Sequence, residues 1–180
     1  MPNKGTFQKD LYRYFGQQGP ALLQRFFPAY EIRYIKAFRR CQKHPKSFLC
    51  HLRLRSISKR TQIQIPPCVL IGGGFQILHL GRVVVNHHVK IGRNCTINPG
   101  VLIGQEERGQ KRGSPTIGDR VWIGTNAVIV GKIHIGNDVL IAPNAYVNFD
   151  VPDHSVVLGN PGRIIENKHA TLGYIKNPVE

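Results

Sequence analysis

The sequence predicts an all-β core, a prism of stacked three-sided coils, preceded by a short α-helical segment. Three observations carry that expectation. Aliphatic residues recur every six positions, Gly or Asn usually follows them, and the basic charge sits in a front segment that lacks the repeat.

The chain has 180 residues, room for one domain and a short appendage. At 41% hydrophobic and 19% charged it has the composition of a folded soluble protein. No run approaches the roughly eighteen apolar residues of a membrane-spanning helix. Residues Met1 to Asp10 hold no apolar stretch of the secretory kind, so the cytoplasm is the expected location. Cys41, Cys50, Cys68 and Cys95 show no CxxC pairing and are expected to be free thiols.

The charge is uneven. Residues 1–60 hold fourteen Lys or Arg against Asp10 and Glu31, a net +12, whereas residues 61–180 carry +3. The front segment therefore suits an anionic partner. Within it, Asp10 to Phe15, Leu22 to Phe27 and Tyr30 to Cys41 have helical spacing, bounded by Pro20 and Pro28. Two or three amphipathic helices are expected, packing on the core or on a sister subunit. A basic, aromatic-studded face lying on an anionic membrane is the functional reading of residues 1–60.

The core follows at residues 61–152. Stepping by six gives Val85, Ile91, Ile97 and Ile103, then Ile117, Ile123, Ile129, Ile135, Ile141 and Val147. All ten are Ile or Val, yet those types make up under a fifth of the chain. Eight of the ten residues that follow them are Gly or Asn, which tolerate a crowded or left-handed backbone. Four places on come small or medium apolar side chains such as Val89, Cys95, Ala127 and Ala145. A period of six fits neither a helix nor an alternating strand. It fits a short strand and a sharp corner, three units closing each coil. Coils then stack at about the strand spacing, with backbone hydrogen bonds running coil to coil.

Two irregularities stand out. Ile65, Ile71, Ile77 and Val83 keep the period but run two residues out of phase with Val85, so an insertion lies between Ile77 and Val85, at Leu78-His79-Leu80-Gly81-Arg82. Such bulges gather near functional sites. The second is residues 105–116, a polar, Gly-bearing loop eight residues longer than the repeat requires. Residues 153–180 close the chain, and Lys168, Lys176 and their neighbours read as a solvated tail.

On this repeat the sequence resembles the hexapeptide-repeat acyltransferases, whose fold is a left-handed parallel β-helix. The general rule for parallel crossovers predicts the opposite hand, so the handedness rests on the resemblance. The segment Leu158-Gly159-Asn160-Pro161-Gly162-Arg163 resembles the close of the acetyl-CoA-dependent members. Residues 60–166 are similar to serine acetyltransferases and to the related O-acetyltransferases of surface-polysaccharide synthesis, with an echo at Asp10-Leu11-Tyr12-Arg13-Tyr14. Ile123 to Gly131 resembles the acetyl-CoA side of the coil. Val83-Val84-Val85-Asn86 follows His79 as a short apolar run follows the family's catalytic histidine.

The resemblance implies that His79 is the general base, in direct transfer of acetyl from acetyl-CoA to an alcohol. Its place in the repeat points it outward, and an imidazole titrates near neutrality. The same resemblance implies a homotrimer with the coenzyme between subunits, beside Gly104, Ser114, Pro115, Gly124, Thr125 and Ala142, with Arg163 facing a phosphate. Gln64 and Asn86 are expected to orient His79 or face the acceptor, and Arg108, Lys111 and Arg112 to contact the acceptor. Three departures bear on the substrate. Serine acetyltransferases carry Asp where Leu78 precedes His79, Asp at the position of Gln64, and a loop His at Ser114. These losses point to a sugar hydroxyl in capsule, exopolysaccharide or lipopolysaccharide synthesis, with serine O-acetylation as the alternative. A basic trimeric scaffold that binds membrane or nucleic acid is the alternative of another class; a nucleic-acid partner is not expected, because it explains the charge but not the repeat. The γ-class carbonic anhydrases place zinc on the same fold, but no His-x4-His pair is present and His87 and His88 diverge, so no metal is expected.

Overall fold

The computed structural model describes residues 5–180; residues 1–4, which open the front segment and the stretch read for a secretory signal, lie outside them. Four helices lead the chain: α1 (Thr6–Phe15), α2 (Leu22–Phe26), α3 (Tyr30–Lys43) and α4 (Phe48–Thr61). The first three fall where helical spacing predicts them. Helix α4 exceeds the expected number. It has no single apolar stripe, because Cys50 and Leu54 are buried while Phe48, Leu49 and Leu52 face out.

Fifteen short strands follow. They are β1 (Ile63–Gln64), β2 (Leu70–Ile71), β3 (Gln76–Ile77), β4 (Val83–Val85), β5 (Lys90–Ile91), β6 (Thr96–Ile97), β7 (Leu102–Gly104) and β8 (Thr116–Ile117), then β9 (Val121–Ile123), β10 (Val128–Val130), β11 (His134–Ile135), β12 (Val139–Ile141), β13 (Tyr146–Val147), β14 (Ser155–Leu158) and β15 (Arg163–Glu166). They form three faces: β1-β4-β7-β10-β13, β2-β5-β8-β11 and β3-β6-β9-β12-β14-β15. From β1 to β13 consecutive strands lie on successive faces; β14 and β15 both join the third face, and every strand pairing is parallel except the β14–β15 hairpin that closes the last coil. This is the expected left-handed parallel β-helix.

The six-residue step is the step from face to face. Ile91, Ile97, Ile103, Ile117, Ile123, Ile129, Ile135 and Ile141 are all buried along the prism axis, and Val89, Cys95, Val101, Ala127 and Ala145 are buried at the corners. Removing each Ile from water contributes roughly 1.5–3 kcal/mol. The register measures both irregularities. Ile77 pairs with Ile97 and Leu70 with Lys90, a coil of 20 residues; Val84 pairs with Leu102 and Val128 with Tyr146, coils of 18. Leu102 pairs with Val128, a coil of 26 that contains the loop.

The first coil has no coil above it, so its strand edges need partners. The helices supply them with side chains. From α1, Asp10 Oδ1 accepts the Phe75 N–H at 2.9 Å, Arg13 Nη1 donates to Gly74 O at 2.9 Å, and the Tyr14 hydroxyl both donates to Ile77 O at 2.7 Å and accepts the Ile77 N–H at 2.9 Å. From α3, Tyr34 bonds Ile65 O and N in the same way, and Arg39 donates to Ile71 O and Gly72 O. Arg39 also pairs with Asp10 at 2.8 Å in the interior.

The tail is tied down at several points, although most of its residues stay exposed. Thr171 bonds the Asp138 carboxylate, the Tyr174 ring packs 4.9 Å from Trp122, and Lys176 O accepts from Arg13 Nε at 2.7 Å. Val179 exchanges two hydrogen bonds of 2.8 Å with Asn94. Lys168 and Lys176 are exposed, as expected of a solvated tail, but polar anchors, which carry no apolar period, hold the segment near Lys176 to α1 and the coils.

Candidate active site

The two-residue excess of the first coil is spent at the corner between the third and first faces. Regular coils turn there through Asn98-Pro99-Gly100, Gly124-Thr125-Asn126 and Ala142-Pro143-Asn144, with Gly100, Asn126 and Asn144 at positive φ. The first coil takes five residues, Leu78 to Arg82, and places His79 at φ 65° and Gly81 at φ 152°. A histidine there is uncommon and strained, a cost of order 1 kcal/mol that surrounding structure must hold. Gly81 is required by packing, since a Cβ would lie 2.8 Å from the Pro99 Cβ. The bulge leaves His79 exposed, and among the described residues its ring has no hydrogen-bond or ion-pair partner. Both ring nitrogens are available for proton transfer.

Below His79 the corner continues as a ladder. Gly100 N–H donates to Arg82 O at 2.6 Å, Asn126 N–H to Pro99 O at 2.9 Å, and Asn144 N–H to Thr125 O at 2.9 Å. Gly162 N–H then donates to Tyr146 O at 2.9 Å, which brings Arg163 to the foot of the same edge, exposed. So His79, Gly124, Thr125, Ala142 and Arg163 share one edge. Gly124 is glycine for the coil's own sake, because a Cβ would lie 2.6 Å from Pro143 N.

The remaining candidates lie elsewhere. Gly104 ends β7 on the first face, and the loop after it leaves at the next corner, between the first and second faces. There Ser114 Oγ donates to Asn86 Oδ1 at 3.1 Å, and Asn86 Nδ2 donates to Gln105 Oε1 at 3.4 Å. Pro115 is buried beside them. Sequence reading passed over Gln105; its only signal was its place at the loop root. His87 and His88 follow Asn86 as exposed residues, and their ring centroids lie 3.9 Å apart, so the two rings pack together and do not diverge as the sequence suggests. The loop closes on itself through paired backbone bonds between Glu106 and Gly113. Lys111 holds it down: its backbone O accepts from Lys132 N, and Nζ donates to Asn148 O. Lys111 is thus already engaged, while Arg108 and Arg112 stand free in solvent. Within one chain Asn86 bonds the loop and not His79. Gln64 lies on the first face in a cleft of about 440 Å³ under α4, with no hydrogen bond to His79.

Residues 114–148 match the family model for the bacterial transferase hexapeptide (six repeats), and the three-faced coil is similar to that repeat. The sequence relatives of this chain include serine acetyltransferases. It is 38% identical over 105 residues to that of Bacillus pumilus, covering 58% of this chain and 48% of the relative, and 37% identical over 105 residues to that of Helicobacter pylori, covering 58% and 61%. This chain thus spans about half the length of the Bacillus enzyme. In three dimensions it matches the soybean serine acetyltransferase apoenzyme with a TM-score of 0.75 at 28% identity, covering 89% of this chain and 67% of that one. The Neisseria gonorrhoeae serine acetyltransferase in complex with serine matches at 0.73 and 27% identity, with the same coverage. These matches favour the serine alternative over the saccharide reading.

Proposed function

We propose that this chain is an acetyl-CoA-dependent O-acetyltransferase with His79 as general base, and that L-serine is its acceptor. The observation that carries the reading is the bulge: an unpartnered, outward imidazole heads an edge of small residues, on a fold shared with serine acetyltransferases. His79 takes the proton of the acceptor hydroxyl as its oxygen attacks the thioester carbonyl. The tetrahedral adduct collapses with cleavage of the C–S bond, and the imidazolium returns the proton to the departing thiolate. The coenzyme's arm lies along the edge of Gly124, Thr125 and Ala142, with Arg163 toward its phosphates. Gly104, Ser114 and Pro115 sit on a different edge, so the homotrimer supplies them from a neighbouring copy.

A second reading, transfer to a sugar hydroxyl, is favoured by one observation. Leu78, Gln64 and Ser114 offer no charge to the ammonium or carboxylate of serine. Thiol release from acetyl-CoA, with product masses, is to be followed with L-serine and with a panel of glycans and nucleotide sugars. Turnover of serine within the usual enzymatic range of about 1–1000 per second supports the first reading. Turnover confined to a sugar establishes the second. His79→Ala is expected to lower either rate by about 10²–10⁴. Activity unchanged by that substitution, or none with any acceptor, overturns the enzyme reading.

A further inference from the structure

We propose that the helical front is a docking surface for the anionic face of a lipid bilayer, an inference independent of the acceptor. Two adjoining cavities open on this front. One, of about 590 Å³, is lined by Leu49 and Leu52 of α4; the other, of about 720 Å³, by Phe26 and Phe27 at the end of α2. They share Tyr30, Arg33, Arg40 and Arg53 as a common wall. Phe26 and Phe27 are 73% and 77% exposed, and Leu49 and Leu52 are 75% and 53% exposed. Leu22, Leu23 and Phe48 are exposed to a similar degree on the same two helices. Large apolar side chains gathered in this way mark an interaction site.

The charge selects the occupant. None of Arg33, Lys36, Arg40, Arg53 and Arg60 forms an ion pair among the described residues, and Arg33 stacks 5.0 Å from the Tyr30 ring. Of the two acids in residues 1–60, Asp10 is buried against Arg39, which leaves Glu31 alone. On α4 the spacing of Leu49, Leu52, Arg53, Ser56 and Arg60 puts leucine and arginine on one face. A bilayer interface takes both kinds of group: acyl boundary for Leu and Phe, acidic headgroups for Arg. A second copy would set this basic face against itself, and a polynucleotide would leave the leucines and phenylalanines wet. Among the described residues no helix is long and apolar enough to cross a membrane, so the proposed surface lies on the bilayer.

Co-sedimentation of the full chain with vesicles tests the proposal. Vesicles of phosphatidylcholine with about one third phosphatidylglycerol are expected to bind it about tenfold better than phosphatidylcholine alone, and about 0.5 M salt to weaken that binding. Two double variants, Phe26→Ser with Phe27→Ser and Arg33→Glu with Arg53→Glu, each lower binding about tenfold while the melting temperature holds. Failure to sediment with anionic vesicles, equal binding to neutral ones, or binding unchanged in both variants overturns it. So does tighter binding of duplex DNA through the same arginines. So does a lipid-free oligomer that the phenylalanine variant dissociates, since a second copy then covers the face.

Discussion

At the scale of the residue, Tyr14 and Tyr34 do the same thing for two isoleucines of the first coil. Each hydroxyl donates to one carbonyl and accepts one N–H of a first-coil isoleucine, Ile77 and Ile65. Burial pushes the Tyr14 hydroxyl well above the usual tyrosine range and that of Tyr34 to about 12, so neither loses its proton at ordinary pH. Ile77 immediately precedes the bulge that carries His79, so Tyr14 is a candidate positioning residue for the proposed base. Tyr14→Phe leaves two buried backbone groups of Ile77 without a partner and is expected to cost about 1–3 kcal/mol of stability. A merely structural role would leave turnover unchanged per folded molecule. Positioning predicts instead a fall in kcat with little change in KM, together with faster hydrogen exchange at the Ile77 amide. The sequence placed Tyr14 on a helix but did not disclose this bond, because its partner lies 63 residues away and no local period encodes it.

At the scale of the element, the three corners of the prism divide the work. The corner between the first and second faces carries the loop, and that between the third and first carries His79. The corner between the second and third faces is a ladder of amide and carboxylate oxygens. Arg93 N–H donates to Asp119 at 2.7 Å, Asp119 N–H to Asn137 at 2.8 Å, and Asn137 N–H to Asp153 at 2.7 Å. Asp138 adds Thr171 of the tail and His154. Burial alone would raise Asp119 and Asp138, but the bonds from Arg93 in one case and from Thr171 and His154 in the other outweigh it, and both carboxyls fall below the usual range. Asn137 holds Asp153 down as well. Carboxylates with depressed folded values stabilise the protein above the unfolded value of about 4, and that contribution disappears as pH falls through the lower folded values. The unfolding midpoint is therefore expected to hold between about pH 5 and 8 and to fall below about pH 4. Asp138→Asn should lower the plateau and flatten the acid limb; an unaltered acid limb would assign the lability elsewhere. This corner illustrates what was legible. The six-residue period located every strand from Val85 to Val147 and sized both insertions, since burial enforces the aliphatic positions. The corners' polar bonds stayed hidden, because a solvent-facing Asn or Asp looks alike whether it caps a coil or not.

At the scale of the whole molecule, one chain holds the candidate site in two halves. His79, Gly124, Thr125, Ala142 and Arg163 follow one edge, while Gly104, Asn86, Ser114 and the loop follow the next. Sequence reading named both groups but could not divide them, since the division depends on which face each strand joins. On a rigid prism no side-chain motion unites two edges, so the proposed trimer must do so, each copy offering its His79 edge to a neighbour's loop in a closed ring. This arrangement predicts complementation. A His79→Ala chain lacks the base but keeps the loop. A chain whose loop is cut short between Glu106 and Gly113, the paired residues at its neck, keeps the base. Each alone is expected to be inactive. Unfolded together in equal amounts and refolded, the two populate mixed rings in which about a quarter of the sites receive an intact histidine from one copy and an intact loop from the next. Acetyl transfer should then return to about a quarter of the unmutated rate, with the light-scattering mass of three chains. A mixture that stays inactive while the trimer forms would mean that both edges serve one chain's own site, and the two-edge arrangement would have to be abandoned.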